Sequence, residues 1–486
     1  MSKFYRNQKS FKRLTSLHLL FFFAISVYSQ TLPPPGQSAS PEAGVTSSMT
    51  PYDAFGVFNA VSNPQAFVGG LGITTFGDKV YYTFNMSPDI GLGKIGIGFD
   101  LNLRFGTDGT LRAEDWEDGI SSYLRIIRYV RYGLKDQDSL YIRVGQLDAT
   151  RLGHGTTVFM YRNNASYDAR RIGIEFDLDL GNFGFESFIN DVSTFGLVGF
   201  RGFYRPLTSL SIPIIKDLEV GATFAGDFRN RTNLITNGIS NRSQINGQTP
   251  FNFITATDNG SFIAYGVDLG LPLLRLPMIS SDLYADFVKY ANYGSGAAIG
   301  VNVSINAIAN VLVLSSRFEH RVIGNQFQFA YFDALYEQDR FRATSGDSVG
   351  VTRANEIAAL VSPGDGFYID LGGSILNTIR LLGSYQRLYN SGRGGQLHLA
   401  ARLDQAIPNV VLRADYYKRD LGFETEIFTL DDRSLATAEL GYMPMPYLLV
   451  SLFYSWTFEP IRDGSSIIRY DPIRRLEPRV TFNFTF

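Results

Sequence analysis

The last thirteen residues, Arg474 to Phe486 (RRLEPRVTFNFTF), alternate so regularly that few folds can hold them. In an extended strand Leu476, Val480, Phe482, Phe484 and Phe486 share one face, and Arg475, Glu477, Arg479, Thr481, Asn483 and Thr485 share the other. An apolar face backed by a charged one, ending on an aromatic, is the pattern of a closing strand in a transmembrane β-barrel. The competing reading is the edge strand of a soluble sheet. An unprotected F-x-F-x-F edge, however, invites pairing with other chains.

The same segment resembles the C-terminal insertion signal of Gram-negative outer-membrane proteins, carried here by Phe482, Phe484 and Phe486. That resemblance implies delivery to the cell outer membrane, outer-membrane lipids as surroundings and the barrel-assembly machinery as a partner during insertion. The other end agrees. Lys3, Arg6, Lys9, Lys12 and Arg13 precede an apolar stretch, Leu17 to Val27, that is too short to span a bilayer. Tyr28-Ser29-Gln30 then places signal-peptide cleavage between Ser29 and Gln30. Loss of residues 1–29 takes the formal charge from −2 to −7, which disfavours nucleic acid as a partner. With no cysteine, disulfides, thiol catalysis and Cys-ligated metals are excluded.

The expected organisation is a signal peptide over 1–29, a flexible Pro/Ser/Gly lead-in over 30–44, a small N-terminal plug or first strand over 45–78, and a barrel over 79–486. No later run of about twenty apolar residues suggests a helical span. Instead, one-sided alternation recurs at Lys94–Phe105, Arg171–Leu180, Gly296–Asn306 and Tyr447–Phe458. Nineteen candidate strands run from Lys79 onward. Single-chain bacterial barrels have even numbers, so one is miscounted or a strand over Phe67 to Phe76 is missing. The expected fold is all-β: a transmembrane antiparallel up-and-down barrel of about 18 strands, with 16 to 20 allowed.

With Phe486 at the periplasmic end, short connections fall near Pro444, Asp404–Pro408, Ser374–Asn377, Ala307–Asn310, Gly181-Asn182 and Gly133–Asp138. Long ones fall at 459–473, 420–434, 322–365, 228–260, 148–169 and 106–121. Short periplasmic turns alternating with long external loops suit a barrel. Pro206–Asp217 and Leu271–Asp282 are long for periplasmic turns and read as hairpins with apolar interfacial ends.

Apolar faces turned to lipid leave the polar faces to line the lumen. The lining candidates are Asp100, Arg104, Arg143, Arg171, Glu175, Asp177, Asp179, Arg317, Glu319, Arg402, Arg413 and Asp415, joined by Asp268, Asp282, Asp286, Arg321 and Glu439. Separated charge clusters would orient polar solutes; charges paired with one another would stabilise a filled barrel. YIRVGQLDATRLGHG (Tyr141–Gly155) resembles a porin phrase in which a strand runs into a Gly-rich loop that folds inward. That likeness implies Arg143 and Gln146 in the wall and Arg151 and His154 at a constriction; an ordinary external loop is the alternative. SNPQAFVGG (Ser62–Gly70) resembles the hatch of the long-chain fatty-acid transporter family, although Gln65 stands where that family has Ala.

Enzymes of this fold need a His with a nearby partner. His154, His320 and His398 have none adjacent in sequence, and no His pair or phosphate loop is spaced for a metal or cofactor. The sequence therefore reads as a non-enzymatic porin-like channel for passive uptake of small polar solutes, without cofactor or metal. The alternatives are a non-conducting scaffold for an envelope or secretion complex and a fatty-acid-type transporter, with room for a homo-oligomer or an envelope partner.

Overall fold

The structure is a computed structural model, and it describes residues 65–486 apart from 77–78, 87, 117–122, 124–125, 137, 165–170, 229–260, 277, 308–310, 344–349, 377, 392, 464–465 and 486. The signal peptide, its Ser29/Gln30 cleavage site, the 30–44 lead-in, positions 45–64 of the plug, nearly all of the 228–260 loop and Phe486 lie outside the described residues.

Alternation becomes strand nearly everywhere it was read. The strands are β1 (Gln65–Phe76), β2 (Lys79–Met86), β3 (Asp89–Leu92), β4 (Ile95–Phe99), β5 (Leu101–Gly106), β6 (Ile127–Tyr132), β7 (Leu140–Gly145), β8 (Gly173–Asp179), β9 (Phe183–Ile189), β10 (Leu197–Tyr204), β11 (Glu219–Asp227) and β12 (Phe262–Arg275). They continue as β13 (Ile279–Tyr290), β14 (Ser295–Ala307), β15 (Leu312–Ile323), a small hairpin of β16 (Phe341–Ala343) and β17 (Gly350–Thr352), β18 (Gly364–Ile375), β19 (Ile379–Tyr389), β20 (Gly395–Ile407), β21 (Val410–Leu421), β22 (Ser434–Met445), β23 (Leu448–Asp463) and β24 (Ser466–Thr485). Two short helices, α1 (Tyr336–Asp339) and α2 (Arg353–Ala358), flank the small hairpin. No helix among the described residues is long and apolar enough to cross a membrane.

All strands but β16 and β17 form one antiparallel, up-and-down sheet of 22 strands, more than the expected 18 or so. Part of the excess is a matter of interruption. β2 and β3 pair with β1 in one continuous register (Gly69↔Met86, Gln65↔Ile90), and β4 and β5 likewise continue one another across Asp100. Joining those two pairs reduces the twenty-two to twenty. The segment 67–76, read as a missing strand, is β1, which pairs with β2 and also with β24 from Ala66↔Thr485 to Gly72↔Arg479.

One long connection is corrected. Residues 459–473 are not a loop, because β23 and β24 stay paired as far as Asp463↔Ser466. Pro460, Pro472 and Pro478 would each cost a ladder bond within a central strand. Beyond the stretches that pair with β22 and β1, however, the outer edges of these two strands have no ladder partner among the described residues, and a proline there forfeits no such bond. Leu271–Asp282 shortens to a tight hairpin between β12 and β13, with exposed Leu274, Leu276 and Met278 at its end.

Burial identifies the two faces. Arg317 and Glu319 of β15 are each 1% exposed, whereas Phe318 between them is 49% exposed. The same inversion, apolar outside and polar inside, runs through Val267, Leu440, Val450 and Leu452. A water-soluble sheet packs its apolar face inward; this one buries its charges and presents a wide apolar surface.

Candidate functional site

The inner face is a wall of cross-strand charge pairs. Arg143 of β7 sits opposite Glu175 of β8, Arg201 of β10 opposite Glu186 of β9, and Arg317 of β15 opposite Asp370 of β18. Arg104 reaches Asp115 at 3.1 Å, Arg143 reaches Asp148 at 2.7 Å, and Glu175 accepts from the Tyr141 hydroxyl at 3.1 Å. Asp177 meets Lys135 at 2.5 Å and Asp179 meets Arg205 at 2.9 Å. Glu319 lies 3.6 Å from Arg317 and accepts from the Tyr284 hydroxyl at 2.5 Å. Asp415 meets Arg162 at 3.2 Å and His398 at 3.3 Å. Asp100 lies in the break between β4 and β5, not within a strand, and accepts from the Asn102 amide at 2.6 Å. At this level the wall follows the paired-charge alternative, which matters because an unpaired buried charge is costly.

The interior is filled by the described parts of two long connections that turn inward: residues 146–164 and 171–172 between β7 and β8, and 324–343 and 350–363 between β15 and β18. They meet through a parallel bridge, Val158↔Phe332. Thr156 O accepts from Ala330 N at 2.9 Å, and Phe332 O accepts from Phe159 N at 3.1 Å. Around the bridge lies a buried aromatic cluster. Tyr331 stacks on Phe262 of β12 with centroids 3.8 Å apart, and Phe327 stacks on Tyr290 of β13 at 4.5 Å. This second inward loop was read only as an external connection. Its signal was present in FQFAYFDALY, since so many aromatics in ten residues need a dry partner.

Ion pairs lock the loops to the wall. Arg171, expected within a wall strand, precedes β8 and pairs with Glu337 of α1. Glu337 also accepts from Asn190 at 3.0 Å and from the Tyr161 hydroxyl. Burial would raise the Glu337 pKa, but Arg171 and Arg340 outweigh it and hold the carboxyl down at about 2. Asp333 takes a two-point contact from Arg353 at 2.9 and 3.0 Å and a hydrogen bond from the Tyr417 hydroxyl at 3.1 Å. Burial again opposes its charge, and Arg353 and Arg419 more than compensate, leaving its pKa lowered.

Arg151 and His154, the constriction candidates, lie on the first inward loop. Arg151 pairs with Asp136 at 2.9 Å. His154 is presented by Gly153 (φ +53°) and Gly155 (φ +89°), backbone angles that side chains other than glycine adopt at a cost. Its Nδ1 lies 2.9 Å from Asp286 Oδ1 of β13, and its ring stacks on Tyr284 at 4.0 Å. His154 therefore has a carboxylate partner that sequence adjacency could not reveal, and so does His398. His154, Asp268 and Asp286, far apart in sequence, each bring one potential ligand atom within 4.8 Å of the others.

Toward the end of the sheet that carries the short turns lies a basic row. Arg380 of β19 faces Arg402 of β20, which faces Arg413 of β21, which faces Glu439 of β22. Arg413 keeps 43% of its side chain exposed while 3.3 Å from Glu439. Arg402 and Arg413 were lining candidates; Arg380 was missed because its neighbours across the sheet were unknown.

No protein-family model matches the chain, and no curated protein sequence does. Among solved structures, OccK5 (OpdH) of Pseudomonas aeruginosa is 11% identical, covering 87% of this chain and 98% of that one, with a TM-score of 0.29. The ferric-catecholate import receptor Fiu of E. coli K12 is 10% identical over 87% of this chain and 82% of that one, with a TM-score of 0.33. CdiB of Acinetobacter baumannii is 10% identical with a TM-score of 0.26; the match covers 87% of this chain but spans only 60% of CdiB. These neighbours are outer-membrane β-barrel proteins of Gram-negative bacteria.

Proposed function

We propose that the sheet closes as a transmembrane barrel in the outer membrane and acts as a narrow, porin-like channel for small polar solutes, with no catalytic role. The observation that carries this reading is the inverted wall: an apolar outer surface, and an inner face of charges that runs to the Arg380–Arg402–Arg413 row, half-buried at Arg380 and Arg402 and exposed at Arg413. An apolar exterior is what lipid requires, and a charged interior is what a polar solute requires. Like charges set directly opposite one another cost stability. Their retention on three adjacent strands favours an anion-attracting vestibule.

The second reading is a non-conducting scaffold, favoured by the dry aromatic cluster and the ion pairs that fix both inward loops. Single-channel recording of the purified protein in a planar bilayer separates the two. The channel reading expects small stepwise conductance that grows when the 327–360 segment is replaced by a short linker in a variant that still folds. Silence of both proteins at every voltage would overturn conduction and leave the scaffold.

A further inference from the structure

We infer that His154, Asp268 and Asp286 form a binding site for one divalent transition-metal ion, of which Zn²⁺ is the best fit, that staples the first inward loop to the wall. This inference is independent of the conduction reading, because it stands on loop-to-wall geometry alone.

Three observations point to a cation here. First, the three potential ligand atoms lie within 4.8 Å of one another although they come from a loop and two strands. Second, Asp268 of β12 and Asp286 of β13 are directly opposite in the antiparallel register, both are buried, and like charges so placed repel. Arg201 answers Asp268 with contacts of 3.0 and 2.5 Å, but it also serves Glu186 at 3.0 Å and Glu219 at 2.7 Å. Arg205 shares Glu219 at 2.8 Å and takes Asp179 at 2.9 Å, so two guanidiniums face four carboxylates while Asp286 adds a fifth, and carboxylates outnumber the guanidiniums that contact them. Third, a small cavity opens among these groups, lined by His154, Thr156, Thr157, Thr223, Asp268 and Asp286, with room for about one water-sized guest.

The donor set selects the metal. One imidazole and two carboxylates, with a fourth position left for water, suit Zn²⁺; Ca²⁺ and Mg²⁺ prefer more oxygens. Bonds of about 2.0–2.1 Å in a tetrahedral shell put ligand atoms roughly 3.3 Å apart. His154 Nδ1 and Asp286 Oδ1 are now 2.9 Å apart, so a small opening admits the ion as the shared proton leaves. The ligands are already oriented. The His154 carbonyl accepts from Arg317 Nη1 at 2.7 Å, its ring stacks on Tyr284, and the Thr156 hydroxyl donates to the other Asp286 oxygen. Outer contacts of this kind fix ligand orientation in established metal sites.

The test is calorimetric titration of Zn²⁺ into EDTA-treated, detergent-purified full-length protein, beside His154→Gln and Asp286→Asn. The expected result is one Zn²⁺ per chain, with affinity reduced at least about tenfold in each variant that retains heat-modifiable migration on a gel. No stoichiometric binding, or binding unchanged in a folded His154→Gln protein, overturns the site. Should both variants fail to fold, X-ray absorption of the Zn²⁺-loaded wild type decides: an imidazole in the first shell supports the site, and an all-oxygen shell overturns it.

Discussion

Arg317 joins the first inward loop to the wall: its Nη1 donates to the His154 carbonyl at 2.7 Å while its Nε donates to Asp370 at 2.9 Å. Both partners of the Arg317–Asp370 pair are essentially inaccessible. Removing one member of such a pair leaves an uncompensated charge and costs about 3–5 kcal/mol. Arg317→Met is therefore expected to lower unfolding stability in detergent by about that amount, and Arg317→Met with Asp370→Asn to recover most of it. Equal loss in the single and double variants would show that the pair is not the cause.

Glu337 gives a pH signature. Its folded-state pKa is depressed from 4.5 to about 2, so it stabilises the folded chain above the unfolded value. That contribution, about 3 kcal/mol by linkage, is lost as pH falls from about 4.5 through about 2. Urea unfolding across this acid range is expected to show a steeper loss for wild type than for Glu337→Gln. Parallel pH profiles would mean that Arg171 and Arg340 do not hold the carboxylate charged.

The fold was legible wherever a strand contrasts its two faces, as in β15 and β24, because lipid on one side and charge on the other leave a two-residue period. It was less legible where that contrast lapses. β1 is rich in Gly and Thr, which blurs its alternation and left it outside the nineteen counted strands, and the 459–473 stretch proves to be paired strand, not loop. The charged wall was read by residue, yet pairings such as Asp268 with Asp286 depend on register, which one chain's sequence does not display. The largest omission was the second inward loop. Its aromatics find partners on β12 and β13, distant in sequence, and no local pattern names them.

Phe318 tests which side of the sheet meets lipid. It lies mid-strand in β15, flanked across the sheet by Val301 and Ile369, and points away from the neighbouring Arg317 and Glu319. An arginine on the lipid face near the bilayer midplane costs about 2–4 kcal/mol. Phe318→Arg is expected to lose that much in urea unfolding from lipid vesicles, whereas Phe318→Leu should lose far less. A tolerated arginine would place this face against water.

Arg402 tests the vestibule. It lies between Arg380 and Arg413 in the register, near the short-turn end of the sheet. A unit charge about 10 Å from a passing ion contributes roughly 0.4 kcal/mol in water before screening, close to a twofold bias in local concentration. Because the anion gains and the cation loses that factor, Arg402→Gln should reduce the anion-to-cation permeability ratio by up to about fourfold at low salt and by less at 1 M. The readout is the reversal potential under a KCl gradient. A shift in selectivity in a variant that keeps its fold would tie the effect to the row's field. An unchanged reversal potential in a conducting, folded variant would place the ion path away from Arg402.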